Sequence, residues 1–420
     1  MAGPRDKPAR ARGSAWPALG AALATACAVH GGRGWEREPA APPREVVRVF
    51  ALGDTGAPTS SQRRVARALS ASLTTARTAG AAPIVLWLGN NTGTTGPSRV
   101  ASRRCAPVDA LWQAKGRAEI GAIGREQLAT GLASYAVLGP VDWSCGAPEL
   151  LFQRPGERGL PWVMPSYNYV VRVDRDGGHE VASRCEAAAD ATRCELAPAA
   201  PDVALELWLL DTTPWRAPEA PGSAVSMAEQ RALLSTLAAA PEPGPLRVLV
   251  THHPIETAGP HGLGGRYPDS AYHYTAPALR EALDAGRFAG VISAHDRNLQ
   301  VTADISDGVK RSSRHWLGSP VFQVVSGASA RPDSRAAGSR RWRWYRGQAL
   351  IPDLLSTHAG YAELRIGDAT IDALLHAYRR GRWREGHVEI PRDRPPHPAE
   401  TPSPNLQPCL GCDTRPDWPW

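Results

Sequence analysis

The chain has 420 residues and a formal net charge of +7, enough length to bury a large core and only a mild basic excess. Part of that excess sits at the extreme N-terminus, in Arg5, Lys7, Arg10 and Arg12. With no continuous basic stripe, zinc finger or RNP-like aromatic motif, nucleic acid is not an expected partner.

Residues 1–27 read as an export signal. Basic residues precede the apolar run Trp16–Ala26, which is too short to span a bilayer comfortably, and Cys27 follows it. Ala24-Thr25-Ala26-Cys27 is similar to a bacterial lipoprotein signal, in which Cys27 would carry a lipid and attach the chain to a membrane. The expected location is therefore exported, as a periplasmic or outer-envelope lipoprotein. The plainer alternative is a disordered alanine-rich tail. Residues 28–45 form a Pro-rich linker, and a single domain is expected over 46–390.

That domain opens with VVRVFALGDTG (46–56), a β-branched run ending in a small-residue turn that carries Asp54. A helix is predicted over Ser61–Ala81. The strand PIVLWL (83–88) then delivers Gly89, Asn90 and Asn91. A short helix over Asp109–Glu119 precedes a strand at Tyr135–Leu138, with Asp142 in the turn beyond it. Strands follow within Pro161–Val173 and over Ala204–Leu210, separated by a polar turn region. Ser226–Ala240 has the clearest helical composition, closed by Pro241 and Pro243. Leu246–Val250 delivers Thr251, His252 and His253. A helix at Ala276–Leu283 feeds the strand Gly290–Ser293, which delivers His295, Asp296 and Arg297. Strands at Val321–Ser326, Tyr361–Ile366 and Ala373–Tyr378 complete an α/β pattern. RWRWYR (341–346) is predicted as an edge strand whose arginines face water, the alternative being contact with a membrane or an anionic partner. Residues 391–420 read as a Pro-rich, weakly structured tail.

The cysteines agree with export. With Cys27 set aside, six remain: Cys105, Cys145, Cys185, Cys194, Cys409 and Cys412. Cys185 and Cys194 flank a short polar loop and make a natural disulfide. Cys105–Cys145 and Cys409–Cys412 are further candidate pairs among the combinations that six cysteines allow. The CxxC at 409–412 lacks the strand-to-helix setting of a redox site.

Polar residues placed repeatedly at strand ends point to one composite site. Taken together, GDTG (53–56), LGNN (88–91), LGPVD (138–142), THHP (251–254), AHDRNLQ (294–300) and VVSGAS (324–329) resemble the calcineurin-like metallophosphoesterases, especially their purple-acid-phosphatase-like branch. The resemblance spans Val46 to Val388. It implies a four-layer α/β sandwich of the metallo-dependent phosphatase type. In active members two divalent ions activate a water that attacks phosphorus.

Residue by residue, the resemblance makes Asp54, Asn90, His252 and His295 the candidate metal ligands. The departures are specific. Asn90 stands where a bridging aspartate is expected, and Gly93 where the metal-binding tyrosine would be. Gly139, Pro140 and Val141 replace the usual GNH. Arg297 replaces the second histidine of GHxH, and its permanent cation opposes a nearby metal while offering to bind an anion or pair with Asp54. Asp142, His253 and Asp296 are candidate substitute or supporting groups. The expected cofactor is none, or one divalent ion (Fe, Zn or Mn), not a full dinuclear centre. The expected function is a metallophosphoesterase-fold protein lacking ordinary phosphatase activity, with a phosphate-containing ligand or an envelope protein as partner. The alternative is an exported phosphoesterase using a reduced or rearranged centre.

Overall fold

The opening β-branched run folds as β1, Glu45–Leu52, and the turn after it leads into α1, Ser60–Thr78. The computed structural model describes residues 45–56, 59–92, 124, 133–143, 148–157, 160–187, 192–240, 244–255, 257–259, 261, 277–302, 322–332 and 354–392. All belong to a unit that begins at Pro43. The predicted signal with Cys27, the other cysteines Cys105, Cys145, Cys409 and Cys412, Gly93, and the segments Asp109–Glu119 and Arg341–Arg346 lie outside the described residues.

Thr59 caps α1 by accepting the Gln62 N–H at 3.1 Å. Val65, Leu69, Leu73 and Ala76, at helical spacing, form its buried face. Gly80, at φ +80°, turns the chain into β2, Ala82–Leu88. Beyond β2 and β3 (Ala133–Val137), the chain folds β4 (Tyr169–Asp174), β5 (His179–Val181), β6 (Ser183–Ala187), β7 (Thr192–Leu196) and β8 (Val203–Leu209). Helix α2 (Ser223–Ala239), β9 (Leu246–Val250), α3 (Pro277–Asp284) and β10 (Gly290–Ser293) follow. The last strands are β11 (Leu299–Thr302), β12 (Phe322–Ser326), β13 (Leu354–Ser356), β14 (Gly360–Gly367), β15 (Thr370–Arg379) and β16 (Arg382–Pro391).

Two mixed sheets result. One has the order β16-β15-β14-β1-β2-β3, the other β13-β11-β12-β10-β9-β8-β4-β5. Strands β1, β2 and β3 are parallel in the first; β8, β9, β10 and β12 are parallel in the second. A core containing Val49, Ala51, Leu86, Leu88, Val248, Val250, Ile292 and Val324 runs through both sheets and takes in α1. A second cluster packs Leu233 and Leu237 of α2 and Leu279 and Leu283 of α3 against Val170, Trp208 and Val291. The layering is helix, sheet, sheet, helix, the four-layer sandwich expected from the sequence. Ser326 ties the sheets together: its Oγ donates to the Ala51 carbonyl at 2.7 Å and accepts from the Ala362 N–H at 3.2 Å.

Three parts of the pattern differ from expectation. The stretch read as a polar turn forms the hairpin β6–β7, where Cys185 and Cys194 are cross-strand partners joined by a disulfide. Strand β16 is new, and pairs along its full length with β15. Within Pro161–Val173 only the end, from Tyr169, is strand.

The second sheet also buries charge. Glu206 on β8 lies between its register neighbours Arg172 on β4 and Arg247 on β9, with N–O distances of 2.9 and 3.1 Å. All three side chains are buried.

Candidate functional site

Every parallel strand ends on the same rim, and the predicted residues arrive there on the turns that follow. Asp54 follows β1, Asn90 follows β2, His252 and His253 follow β9, and His295 follows β10. Asp54, Asn90 and His295 have φ of +52°, +54° and +62°, in the left-handed region. They are three of the four non-glycine residues with positive φ among those described, so backbone strain concentrates at this rim. Gly89 lets the turns approach: a Cβ there would lie 2.7 Å from His252 Nδ1.

Asp54 is buried. Its Oδ1 accepts from Asn90 Nδ2 at 2.7 Å and lies 4.0 Å from Arg297 Nε. Its Oδ2 is buried, with no hydrogen-bond partner among the described residues. Burial pushes the Asp54 pKa up to about 7, against the opposing pull of Arg297 and the Asn90 amide. Asn90 uses both ends of its amide, since its Oδ1 accepts the Val141 N–H at 2.9 Å. The Asn90 amide therefore serves Asp54 and the backbone.

His252 is fully buried, and burial with the neighbouring His295 holds its pKa well below the usual histidine range. Its Nδ1 donates to the Leu88 carbonyl at 2.6 Å, which leaves Nε2 as a lone-pair donor. That nitrogen lies 3.2 Å from His295 Nδ1. Two nitrogens bound to one tetrahedral ion at about 2.0–2.1 Å sit roughly 3.3 Å apart, so this pair has the spacing of adjacent ligands. His253 is buried beside them. Its Nε2 accepts from Arg216 at 3.2 Å, so its Nδ1 donates to Thr212 Oγ1 at 2.7 Å. Donor atoms of His252, His253 and His295 all fall within 4.8 Å of one another. Among the described residues this is the cluster able to hold a cation, with His252 and His295 as its available imidazoles and His253 engaged by Arg216 and Thr212. Among the described residues no second cluster of this kind accompanies it.

Asp142 and Asp296 are committed elsewhere. Asp142 accepts from the N–H groups of Gly139, Asn91 and Thr92 and from the Thr92 hydroxyl, at 2.8–3.2 Å. Asp296 accepts from Thr257 Oγ1 and from the His261 N–H, fastening the 257–261 loop. That contact brings His261 over His295, with ring centroids 4.1 Å apart. Sequence reasoning missed His261 and Arg216. His261 lies in a glycine-bracketed stretch with no motif, and Arg216 follows the Thr213–Trp215 turn, away from the motif-bearing strand ends.

Behind the rim lies a buried polar layer. Asp211 accepts from Trp143 Nε1 at 2.8 Å and the Thr213 N–H at 2.9 Å, and Glu229 accepts the Asn168 N–H at 3.2 Å. Burial raises both carboxyls to about 7, as it does Asp54. A carboxyl raised in the fold keeps its proton where the unfolded chain has lost it. This contribution is complete below about pH 4 and disappears as the pH rises through about 7. Melting temperature is therefore expected to fall steadily from pH 5 to pH 8. Glu229→Gln should flatten part of that slope, and an unchanged slope would contradict the assignment.

No protein-family model and no curated protein matches the chain. Among solved structures, GAP50, described as the anchor in the inner membrane complex of Plasmodium, superposes with a TM-score of 0.52 at 16% identity, over 83% of this chain and 90% of that one. PhoD gives 0.39 at 10% identity, over 84% and 70%. Vacuolar protein sorting 29 from Cryptosporidium parvum gives 0.31 at 11% identity, over 83% and 100%. These likenesses concern the fold, and of the three the GAP50 superposition carries the argument. The paired mixed sheets with outer helices have the calcineurin-like, metallo-dependent phosphatase architecture.

Proposed function

We infer that this calcineurin-like fold serves as a binding module for a phosphate-bearing ligand, with at most one divalent ion and without ordinary two-metal hydrolysis. The observation that carries the reading is the Asn90–Asp54 hydrogen bond of 2.7 Å. A bridging carboxylate would hold two cations by its charge. Here a neutral amide donates to the first acid instead, and Arg297 places a cation beside it. The half-exposed Arg297 guanidinium is accessible to an oxyanion. An ion held by His252 and His295, joined by His253 if Arg216 moves aside, would supply Lewis-acid binding of one phosphoryl oxygen.

The histidine spacing favours a second reading, a phosphoesterase working with that reduced centre. Metal analysis of protein purified without chelator, combined with assays on a phosphomonoester and a phosphodiester, separates the two. The expected result is no more than one equivalent of metal and no turnover above that of His295→Ala. Turnover that needs added divalent ion and vanishes in His295→Ala would establish the second reading.

Attachment through a lipid on Cys27, an exported location and an envelope partner belong to the same proposal. The Cys185–Cys194 disulfide supports an oxidising compartment. Among the described residues, no helix is long and apolar enough to cross a membrane.

A further inference from the structure

Positive charge gathers away from the histidine cluster, where α1 faces the β14–β16 meander. A cavity of about 700 Å³ lies there, lined among others by Arg63, Arg64, Arg67, Tyr361, His376 and Trp383. That volume suits one small organic molecule. Helix α1 contains no acidic residue from Ser60 to Thr78. Arg63 and Arg67 stand one turn apart on it, both exposed.

Arg64 leans across to the meander, its guanidinium 4.2 Å from the centre of the Tyr378 ring. Tyr378 in turn pairs across the strands with Trp383, at 5.6 Å between centroids. Trp383 is 36% exposed, unusual for so large an apolar group. The neighbouring hairpin turn presents Arg379, Arg380, Arg382 and Arg384 around a second cavity.

Two acids of the meander face His376 on the lining of the groove. Glu363 is buried and engaged by Arg365 at 2.7 Å and His376 at 2.8 Å. Glu385 faces the other nitrogen of His376 at 3.5 Å. The groove thus combines guanidinium groups on its walls, one exposed indole, and the hydroxyl pair of Ser72 and Tyr361, 2.7 Å apart. Like charges gathered on one wall favour an anion, and planar guanidinium forks match phosphate or sulfate oxygens. A longer nucleic-acid strand would need several free ring faces for successive bases. Here Tyr378 is covered by Arg64, and Tyr361 is stacked on His376 at 4.6 Å, which leaves Trp383.

We propose that the groove between α1 and the β14–β16 meander binds a small ring-bearing organic anion, a phosphate or sulfate monoester. The ester group lies against the α1 arginines and the ring against Trp383. The test is calorimetric titration of the full chain, with chelator present, using AMP, adenosine, 4-nitrophenyl sulfate and a single-stranded oligonucleotide. Saturable binding of AMP or the sulfate ester, but not of adenosine, is expected; whichever anion binds tighter identifies the source. Arg63→Glu with Arg67→Glu should weaken binding about tenfold or more, equivalent to at least ~1.4 kcal/mol. Trp383→Ala should weaken it several-fold. The proposal is overturned by equal affinity for adenosine or by indifference to the two α1 changes. Tighter binding of the oligonucleotide, or no saturable binding at millimolar concentration, also overturns it.

Discussion

Glu206→Gln is expected to lower the free energy of unfolding by about 3–5 kcal/mol. Glu206 is the single acid between two buried guanidinium groups, on three adjacent strands in register. Arg172 has a further acceptor in the Pro198 carbonyl, at 3.0 Å, but that oxygen carries no charge. Removing the carboxylate leaves two like cations facing each other with little water to screen them. The glutamine amide can still accept one hydrogen bond but cannot balance either charge. In urea denaturation the midpoint should fall with the slope unchanged. Replacing the whole triad with apolar side chains, by Arg172→Met, Glu206→Leu and Arg247→Leu together, should recover much of the loss. A single-variant loss below about 1 kcal/mol would mean that the buried arginines find compensation elsewhere.

Asn90→Asp is the second large expected effect, and it depends on pH. The change places a second carboxyl where the amide now donates to Asp54 at 2.7 Å. Two carboxyls that close cannot both ionise, so one proton is retained between them. At pH 5 that proton re-creates a donor, and the variant should stay near the parent stability. At pH 8 retaining or losing it is costly, and a deficit of about 2–3 kcal/mol is expected. A divalent ion should restore stability at pH 8, because it supplies the charge that the amide replaced. Melting curves at both pH values, with and without Zn or Mn, read this directly. Equal melting of parent and variant at pH 8 without metal would remove the argument that Asn90 substitutes for a cation.

The parts of the fold legible in the sequence are those where one physical signal dominates. Val46–Leu52, Ile84–Leu88, Leu246–Val250 and Gly290–Ser293 are short apolar runs ending in turn residues, and each is a buried central strand. The edges of the sheets are harder to read. Strand β16 carries RWREGHVEI, a charged sequence that gains its place by pairing with β15. Its turn is Arg380-Gly381, with φ of +50° and +81°; arginine in the first position hides a two-residue hairpin that Asn-Gly would have advertised. The hairpin β6–β7 is similarly polar, and the covalent link between Cys185 and Cys194 fixes its register.

The site divides along the same line. The strand-end positions of Asp54, Asn90, His252 and His295 follow from local sequence. The contacts that set their chemistry come from elsewhere: Leu88 orients His252, Val141 engages Asn90, and Arg216 occupies the His253 lone pair. The separations in sequence are 164, 51 and 37 residues, beyond the reach of any local pattern. Likewise, the cationic groove joins α1 to strands about three hundred residues later, which neither segment announces alone.

The left-handed backbone at Asp54, Asn90 and His295 limits the alphabet available to the rim. Glycine, asparagine and aspartate enter that conformation most readily, whereas β-branched side chains meet a steric barrier. At position 90, acid and amide are therefore conformational equals that differ by one charge. A single exchange between them can alter the electrical character of the cleft while leaving the path of the chain intact. The mutational route between a metal-dependent rim and a self-sufficient one is accordingly short, and it runs through residues the backbone already accepts.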